Sequence, residues 1–180
     1  EIADLLEGEM CGDAMFDTGV YEAGYCDMPI AMTAFIHRFI GKCENLWAYY
    51  IGSNCQNSMS NRLLQVSRER NRMLGVQLYY YKIKGFLQWG YNNYGQLSQG
   101  FYEPYFNPCC GWSGCGSSYM VYPDRTGKAL QSVRQKVFGD GLNDIRLLSL
   151  LEKLKGRKAA NAVIEKHFGK LTFNDGPDTA

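Results

Sequence analysis

The segment Lys84 to Gly95, KGFLQWGYNNYG, holds the densest set of groups that could recognise a ligand. Phe86, Leu87 and Trp89 read as a buried strand, and Tyr91, Asn92, Asn93 and Tyr94 follow at once. Two amides and two phenols at the end of an apolar strand are best accommodated where they face a cleft. A sugar ring has apolar C–H faces and a rim of hydroxyls. It suits flat aromatic faces set beside amide donors and acceptors. The plainer alternative is a strand followed by a polar turn, and these residues alone do not separate the two.

Other candidates are sparser. Trp47 and Tyr49 alternate on a second short strand and so share one face, as Leu87 and Trp89 do. Trp89, Tyr49 and Trp47 could stack on a sugar or simply fill a core. Asn92 and Asn93 could bond hydroxyls or close an Asx turn. Asp13, Asp17 and Asp27 fall in or beside the first two apolar runs. Each could accept a hydroxyl, cap a helix or pair with a neighbouring strand. Asn61 reads as a helix N-cap, and Arg62 as a group that reaches the cleft or pairs with an acid. Arg134, Asp140 and Asp144 read as structural ion-pair partners on a late helix.

Cys109, Cys110 and Cys115 invite a metal reading, but zinc wants four ligands, commonly in paired C-x-x-C spacing. Neither His37 nor His167 is near them in sequence, so no metal is expected. Ordinary loop thiols are the expectation; a disulfide from Cys115 to one of the adjacent pair is the alternative. The run Arg62, Arg68, Arg70, Arg72 reads as a solvated helix face rather than a nucleic-acid surface.

Four short apolar runs must position these groups: Met10 to Phe16, Cys26 to Met32, Leu46 to Ile51 and Ile83 to Trp89. Their length and lack of alternation fit parallel strands buried on both faces. Helical patterns lie between and after them. Thr33 to Lys42 sets Phe35, Ile36, Phe39 and Ile40 on one face, with Thr33 as cap. Ser60 to Lys82 reads as one long helix. Ser132 to Phe168 reads as one or two, broken at Gly156, with Leu147, Leu148, Leu150, Leu151 and Leu154 as its core face. The first link, Asp17 to Tyr25, has room only for a turn or two. A long Gly-, Pro- and Ser-rich loop follows the fourth strand, then a hairpin turning at Asp124 to Gly127. Beyond Leu171 a polar tail is expected to fray.

Strand–helix repetition is the mark of parallel α/β architecture, and four units make half of an eightfold barrel or a small open sheet. With 180 residues, one domain is the default. A net charge of +1 gives no field that would point to nucleic acid or a membrane surface. No apolar run has the length of a spanning helix. Seven scattered cysteines do not resemble a disulfide framework and slightly favour a reducing, cytoplasmic setting. The chain opens with EIADLLEG, which reads as the end of a helix or a linker and predicts a processed product or a fragment.

In order, LWAYYIG, SNRLLQVSRERNRMLGVQLYYYKIKGFLQWGYNNY, YMVYPD and SVRQKVFGDGLNDIRLLSLLEKL resemble the C-terminal part of glycoside hydrolase family 123 and its wider relatives, domain of unknown function 4091. The resemblance runs over roughly residues 10 to 155. Its parts are a Trp-x-Tyr strand, an Asn-Arg helix start, a Gly-Phe-Leu-x-Trp strand ending in Asn, a Tyr-Pro hairpin and an Arg…Gly-x-x-Asp helix. Each is weak alone; five in register are fairly specific.

The resemblance implies an eight-stranded β/α barrel of TIM type. It also implies exo-acting N-acetyl-β-galactosaminidase activity by substrate-assisted retention. There the sugar's own acetamido oxygen attacks the anomeric carbon, outside the two-carboxylate scheme. An adjacent Asp-Glu pair serves this reaction at the end of the fourth barrel strand. This chain has no Asp-Glu dipeptide, and its first strand corresponds to the family's fifth. The expectation is therefore the C-terminal half of a (β/α)8 barrel over residues 1–170, about four βα units, with a tail over 171–180. Catalytic residues would lie upstream and no cofactor is implied. The expected partners are an N-acetylhexosamine-containing glycan and the missing N-terminal half. Trp89, Tyr49, Trp47, Asn92, Asn93, Asp17 and Asp27 are its expected sugar contacts. A non-catalytic carbohydrate-binding or scaffolding relative is one alternative. A small α/β domain that self-assembles through its open edges is another.

Overall fold

The structure is a computed structural model, and it describes residues 12–52, 60–94, 103–109 and 114–171. Strands β1 (Gly12–Met15), β2 (Met28–Met32), β3 (Trp47–Tyr49) and β4 (Gly85–Leu87) form one sheet in the order β1-β2-β3-β4. All three pairings are parallel, with Ala14 beside Ile30, Ile30 beside Trp47, and Trp47 beside Gly85. Each strand therefore neighbours the next in sequence, without the reversal of order that a doubly wound sheet contains. The four strands fall inside the four apolar runs, though shorter. Met10 and Cys11, at the start of the first run, are outside the described residues.

The connections follow the same rhythm. Helix α1 (Gly19–Glu22) fills the short first link, and a 3-10 helix (Thr33–Arg38) fills the second. Thr33 does not cap it. The chain is still extended at Met32, Thr33 already lies inside the first turn, and its Oγ1 has no hydrogen-bond partner among the described residues. Ile36 and Phe39 nonetheless enter the core as the apolar spacing requires.

Helix α2 (Arg68–Tyr80) is shorter than the pattern over Ser60 to Lys82 predicts. Its N-cap is Ser67, whose hydroxyl accepts from the Arg70 N–H, and not Asn61. Ser60, Asn61 and Arg62 are buried in a non-helical segment held by long-range bonds. Ser60 Oγ donates to Gln77 Oε1 at 2.6 Å, and Leu64 N donates to the Cys115 carbonyl at 2.9 Å. These partners satisfy groups that a helix would otherwise have to satisfy internally.

The Gly-x-x-Asp pattern, Gly141 to Asp144, lies on α4 (Val133–Lys155) where it crosses α2. A methyl group on Gly75 would overlap the Gly141 backbone, and one on Gly141 would stand 2.8 Å from the Arg72 carbonyl. The two glycines bring the helix backbones into contact. One turn on, Arg72 binds Asp144 through two bonds of 2.7 Å. Gly156, with φ of 84°, ends α4 and begins α5 (Arg157–Phe168), at the predicted break.

The main core joins Met15, Ala31 and Ala48 of the strands and Tyr50 just past β3 to Ile36, Phe39, Leu74 and Leu78, with Phe138 and Ile145 of α4 packed against it. A second cluster joins Met73 and Tyr79 to Ala160, Ile164 and Leu171. Of the five leucines expected on the core face of α4, only Leu148 and Leu151 pack on this cluster; Leu147, Leu150 and Leu154 are mostly exposed. Five leucines within eight positions cannot all fit one helical stripe. The crossing uses the stripe of Gly141, Asp144, Ile145 and Leu148. Among the described residues no helix is long and apolar enough to cross a membrane.

The long region after β4 contains α3 (Glu103–Phe106) and the hairpin β5 (Val121–Pro123) to β6 (Ala129–Gln131). Asp124 shapes the hairpin turn by accepting from Thr126 N and Lys128 N at 2.7 and 2.8 Å. Cys109 and Cys115 form a disulfide, correcting the expectation of ordinary thiols. A disulfide is uncommon in a reducing compartment, so the cysteines no longer favour one. Cys110 and the tail beyond Leu171 lie outside the described residues.

Candidate functional site

Alternation divides the sheet into two faces. Ala31, Ala48 and Phe86 are side by side on the face that the helices cover. Met32, Tyr49 and Leu87 are side by side on the other, with Ile30, Trp47 and Gly85 in the row beneath. None of the residues of this second face belongs to the main core cluster. Trp47 and Tyr49 are half-buried and Leu87 is exposed. The strand alternation that puts Trp47 and Tyr49 on one face therefore puts both on the face away from the helices. Burial raises the Tyr49 phenol above its ordinary range, and the charge of Asp13 adds to the effect.

The chain leaves β4 through Trp89, which is 40% exposed, and then through exposed Tyr91, Asn92 and Asn93. This exit is not a free polar turn. It pairs with the segment Ser117 to Met120. Met120 N donates to the Tyr91 carbonyl at 2.7 Å, and Asn93 N donates to the Ser118 carbonyl at 3.1 Å. Asn92 and Tyr119 form an antiparallel bridge. Gln88 Nε2 donates to the Ser117 carbonyl at 2.9 Å. Gly90 packs so close to Ser118 that a side chain there would overlap its backbone. The backbone is thereby fixed while the Asn92 side chain stays exposed.

Two arginines, Arg62 buried and Arg134 half-buried, hold this arrangement together. The Arg62 guanidinium donates to the carbonyls of Gly90 and Ser117. Arg134 donates to the carbonyls of Arg62, Gly116 and Tyr119 at 2.8, 2.7 and 2.9 Å. Arg62 therefore does not reach a cleft and, among the described residues, pairs with no acid: it is 4% exposed and binds carbonyls. Burial is the main reason its pKa falls to about 10, with the neighbouring Arg134 charge acting in the same direction. It remains cationic near neutrality. Arg134, expected in an ion pair, is a carbonyl clasp instead; Asp144 does form the expected ion pair, with Arg72.

Two expected carboxylates fall elsewhere. Asp17 lies just past the end of β1, and its Oδ1 accepts from Gly19 N at 2.9 Å in a local turn; Thr18, and not Asp17, is the N-cap of α1. With adjacent strands about 4.8 Å apart, the exits of β1 and β4 are on the order of 14 Å apart. Asp27 precedes β2, so it lies at the opposite end of the sheet from the strand exits. Trp47 and Tyr49 share the sheet face away from the helices, Trp89, Asn92 and Asn93 follow the end of β4, Asp17 follows the end of β1, and Asp27 stands before β2 at the opposite end. Among the described residues no group of three His, Cys, Asp or Glu is placed to hold a metal ion.

The sequence signal for the clasp was incomplete. Arg62 was visible as a candidate, but its carbonyl partners were not, because Gly90 and Ser117 are 28 and 55 residues away. Ser117 to Tyr119 sat in what read as an irregular loop, with no periodicity to mark it as the partner of the β4 exit.

The family model of the glycoside hydrolase 123 catalytic domain matches residues 2–151. A solved structure of a family 123 glycoside hydrolase from Clostridium perfringens, described in relation to glycolipid glycan hydrolysis, is similar with a TM-score of 0.63 and 13% sequence identity. The similarity covers 95% of this chain and 32% of that one, so the chain spans about a third of the length of that protein. At this identity the likeness establishes the fold. No curated protein sequence matches the chain.

Proposed function

The chain belongs to the glycoside hydrolase 123 catalytic-domain family, and from that premise we propose that it is the sugar-binding C-terminal half of a (β/α)8 glycosidase barrel. The observation that carries this is the open sheet face. Trp47, Tyr49 and Leu87 stand on the side away from the helices, and Trp89, Asn92 and Asn93 continue from its end. Ligands of such barrels bind at the C-terminal ends of the strands. The sequential parallel order of the strands agrees with half of the closed cylinder.

The proposed substrate is a glycan ending in a β-linked N-acetylhexosamine, of the N-acetyl-β-galactosaminide type. The aromatic rings of Trp89 and Tyr49 take the apolar face of the sugar and wall in its acetamido methyl. Asn92 and Asn93 bond its hydroxyls, and Asp17 serves the rim. Asp27 is left out because it lies at the wrong end of β2.

Catalysis in this reading needs an Asp-Glu pair supplied by the other half of the barrel. The acetamido oxygen attacks the anomeric carbon as the glycosidic bond breaks. The Glu gives its proton to the departing oxygen, and the Asp holds the acetamido group. Water then attacks the anomeric carbon and opens the oxazolinium intermediate with net retention, giving its proton back to the Glu carboxylate. The residues of this chain bind and orient the sugar.

The test is release of chromophore from a chromogenic N-acetyl-β-galactosaminide by the intact protein, with its denatured mass compared with the 20.4 kDa of this chain. Activity that falls at least tenfold in Trp89→Ala and Asn92→Ala supports the reading. A protein with a mass of 20.4 kDa that hydrolyses no N-acetylhexosaminide would overturn it.

A further inference from the structure

We propose that the protein has a second carbohydrate subsite, an aromatic ledge beside the β5–β6 hairpin. It holds further sugar residues of a glycan engaged at the strand exits. The ledge is a cavity of about 430 Å³ lined by Pro104, Tyr105, Pro108, Tyr122, Leu130 and Gln131. That volume falls in the ordinary range of small-molecule sites, about 300–1,000 Å³.

Tyr105 and Tyr122 pack together in its lining, their ring centroids 5.1 Å apart and their planes inclined by 37°. Tyr105 is 46% exposed although its hydroxyl is committed, donating to the Pro123 carbonyl at 2.9 Å. What it offers to solvent is therefore mainly the ring. The segment that carries it is irregular apart from one helical turn, yet it is tied down repeatedly. Tyr119 Oη and Gly116 N donate to the Pro108 carbonyl at 3.0 and 2.9 Å, and the Cys109–Cys115 disulfide closes the same loop. Holding an exposed aromatic still costs conformational entropy, and a preorganised ring lowers the cost of binding a ligand.

The chemistry of the lining selects the ligand. It contains aromatic and proline faces, one leucine and one amide, but no charged side chain. A neutral ligand with an apolar face and a hydrogen-bonding rim fits, and a sugar ring has both. The ledge is also tied to the first site through packed rings, although the central one, Tyr119, is buried. Tyr94, next to Asn93, packs on Tyr119 at 5.8 Å, and Tyr119 packs on Tyr122 at 5.2 Å. A chain of rings thus leads from the Asn92–Asn93 segment to Tyr105. The ligand class rests on the carbohydrate reading above; the shape and rigidity of the ledge do not.

The experiment is calorimetric titration of the intact protein with two probes it cannot hydrolyse, the C-glycosidic analogues of methyl N-acetyl-β-galactosaminide and of the trisaccharide N-acetyl-β-galactosaminyl-lactose. The trisaccharide should bind about tenfold more tightly. Tyr105→Ala should remove that advantage and leave the monosaccharide affinity within about twofold. Tyr105→Phe keeps the ring and should bind like the parent protein, which controls for folding. Equal affinity for the two probes, unaltered by Tyr105→Ala, overturns the ledge alone. Failure of the parent protein to bind either probe overturns the ledge and the carbohydrate reading together.

Discussion

The indole of Trp47 covers Gly85. The two residues are register partners on β3 and β4, and a methyl group built on Gly85 would overlap the six-membered ring of the indole. Glycine weakens a strand unless something else needs its space. Here it lets Trp47 lie flat across the neighbouring strand on the face that the helices leave open. Gly85→Ala should displace the ring and cost about 1–3 kcal/mol, the usual penalty of overpacking. Urea unfolding with tryptophan fluorescence reads both effects. An unchanged midpoint and spectrum would mean that the ring is not held there.

Arg62 yields the second prediction. It is nearly fully buried and bridges the carbonyls of Gly90 and Ser117, with no carboxylate bonded to it among the described residues. A buried cation without an acid is costly, and the carbonyl bonds are what offset that cost. Arg62→Lys keeps the charge but cannot reproduce the planar fork. One carbonyl should lose its partner, at a cost of about 2–3 kcal/mol. The exit of β4 should loosen at the same time, making Trp89 more accessible to a collisional quencher. A lysine variant with parental stability and quenching would show that the clasp does not position Trp89.

These two sites show what the sequence reveals and where it stops. Strand existence was legible because short unalternating apolar runs have few other uses, and the sheet follows them in order. The Trp47–Tyr49 pairing was legible because alternation is geometric. Helix starts were not. Ser60 and Asn61 look like caps as much as Ser67 does, and only the Gln77 side chain and the Cys115 carbonyl, both distant in sequence, decide among them. The leucines of α4 misled because leucine content alone does not say which stripe meets a neighbour. The informative residues were the small and charged ones, Gly141 and Asp144. Asp27 misled because a carboxylate beside a strand can stand at either end, and its position before Met28 places it at the N-terminal one.

The ion pair of Arg72 with Asp144 gives a third prediction. Arg72 is half-exposed and Asp144 mostly buried, and both bonds are 2.7 Å. The partner also raises the Arg72 pKa, first through the hydrogen bond and then through its charge. Exposed ion pairs usually contribute little, but a bidentate guanidinium–carboxylate pair at a close helix crossing stands at the upper end. A double-mutant cycle with Arg72→Met and Asp144→Asn should give a coupling of about 1 kcal/mol, reduced in high salt. A coupling indistinguishable from zero would leave Gly75 and Gly141 as the determinants of the crossing.

The last prediction concerns alkaline pH. Tyr80 on α2 donates to Glu165 on α5 at 2.6 Å. That bond is the largest reason its phenol is pushed from an ordinary value of 10.0 up to about 12, with burial and the Glu165 charge adding to it. The neutral phenol is the form that can donate, so folding favours the protonated state. The folded pKa lies above the unfolded one. The stabilisation is complete below about pH 10 and is lost as pH rises through about 12. Tyrosinate absorbance should therefore contain a late component that disappears in Tyr80→Phe. The parent protein should also lose more thermal stability than the variant between those two pH values. Identical alkaline titrations of the two proteins would show that this bond does not tie α5 to α2.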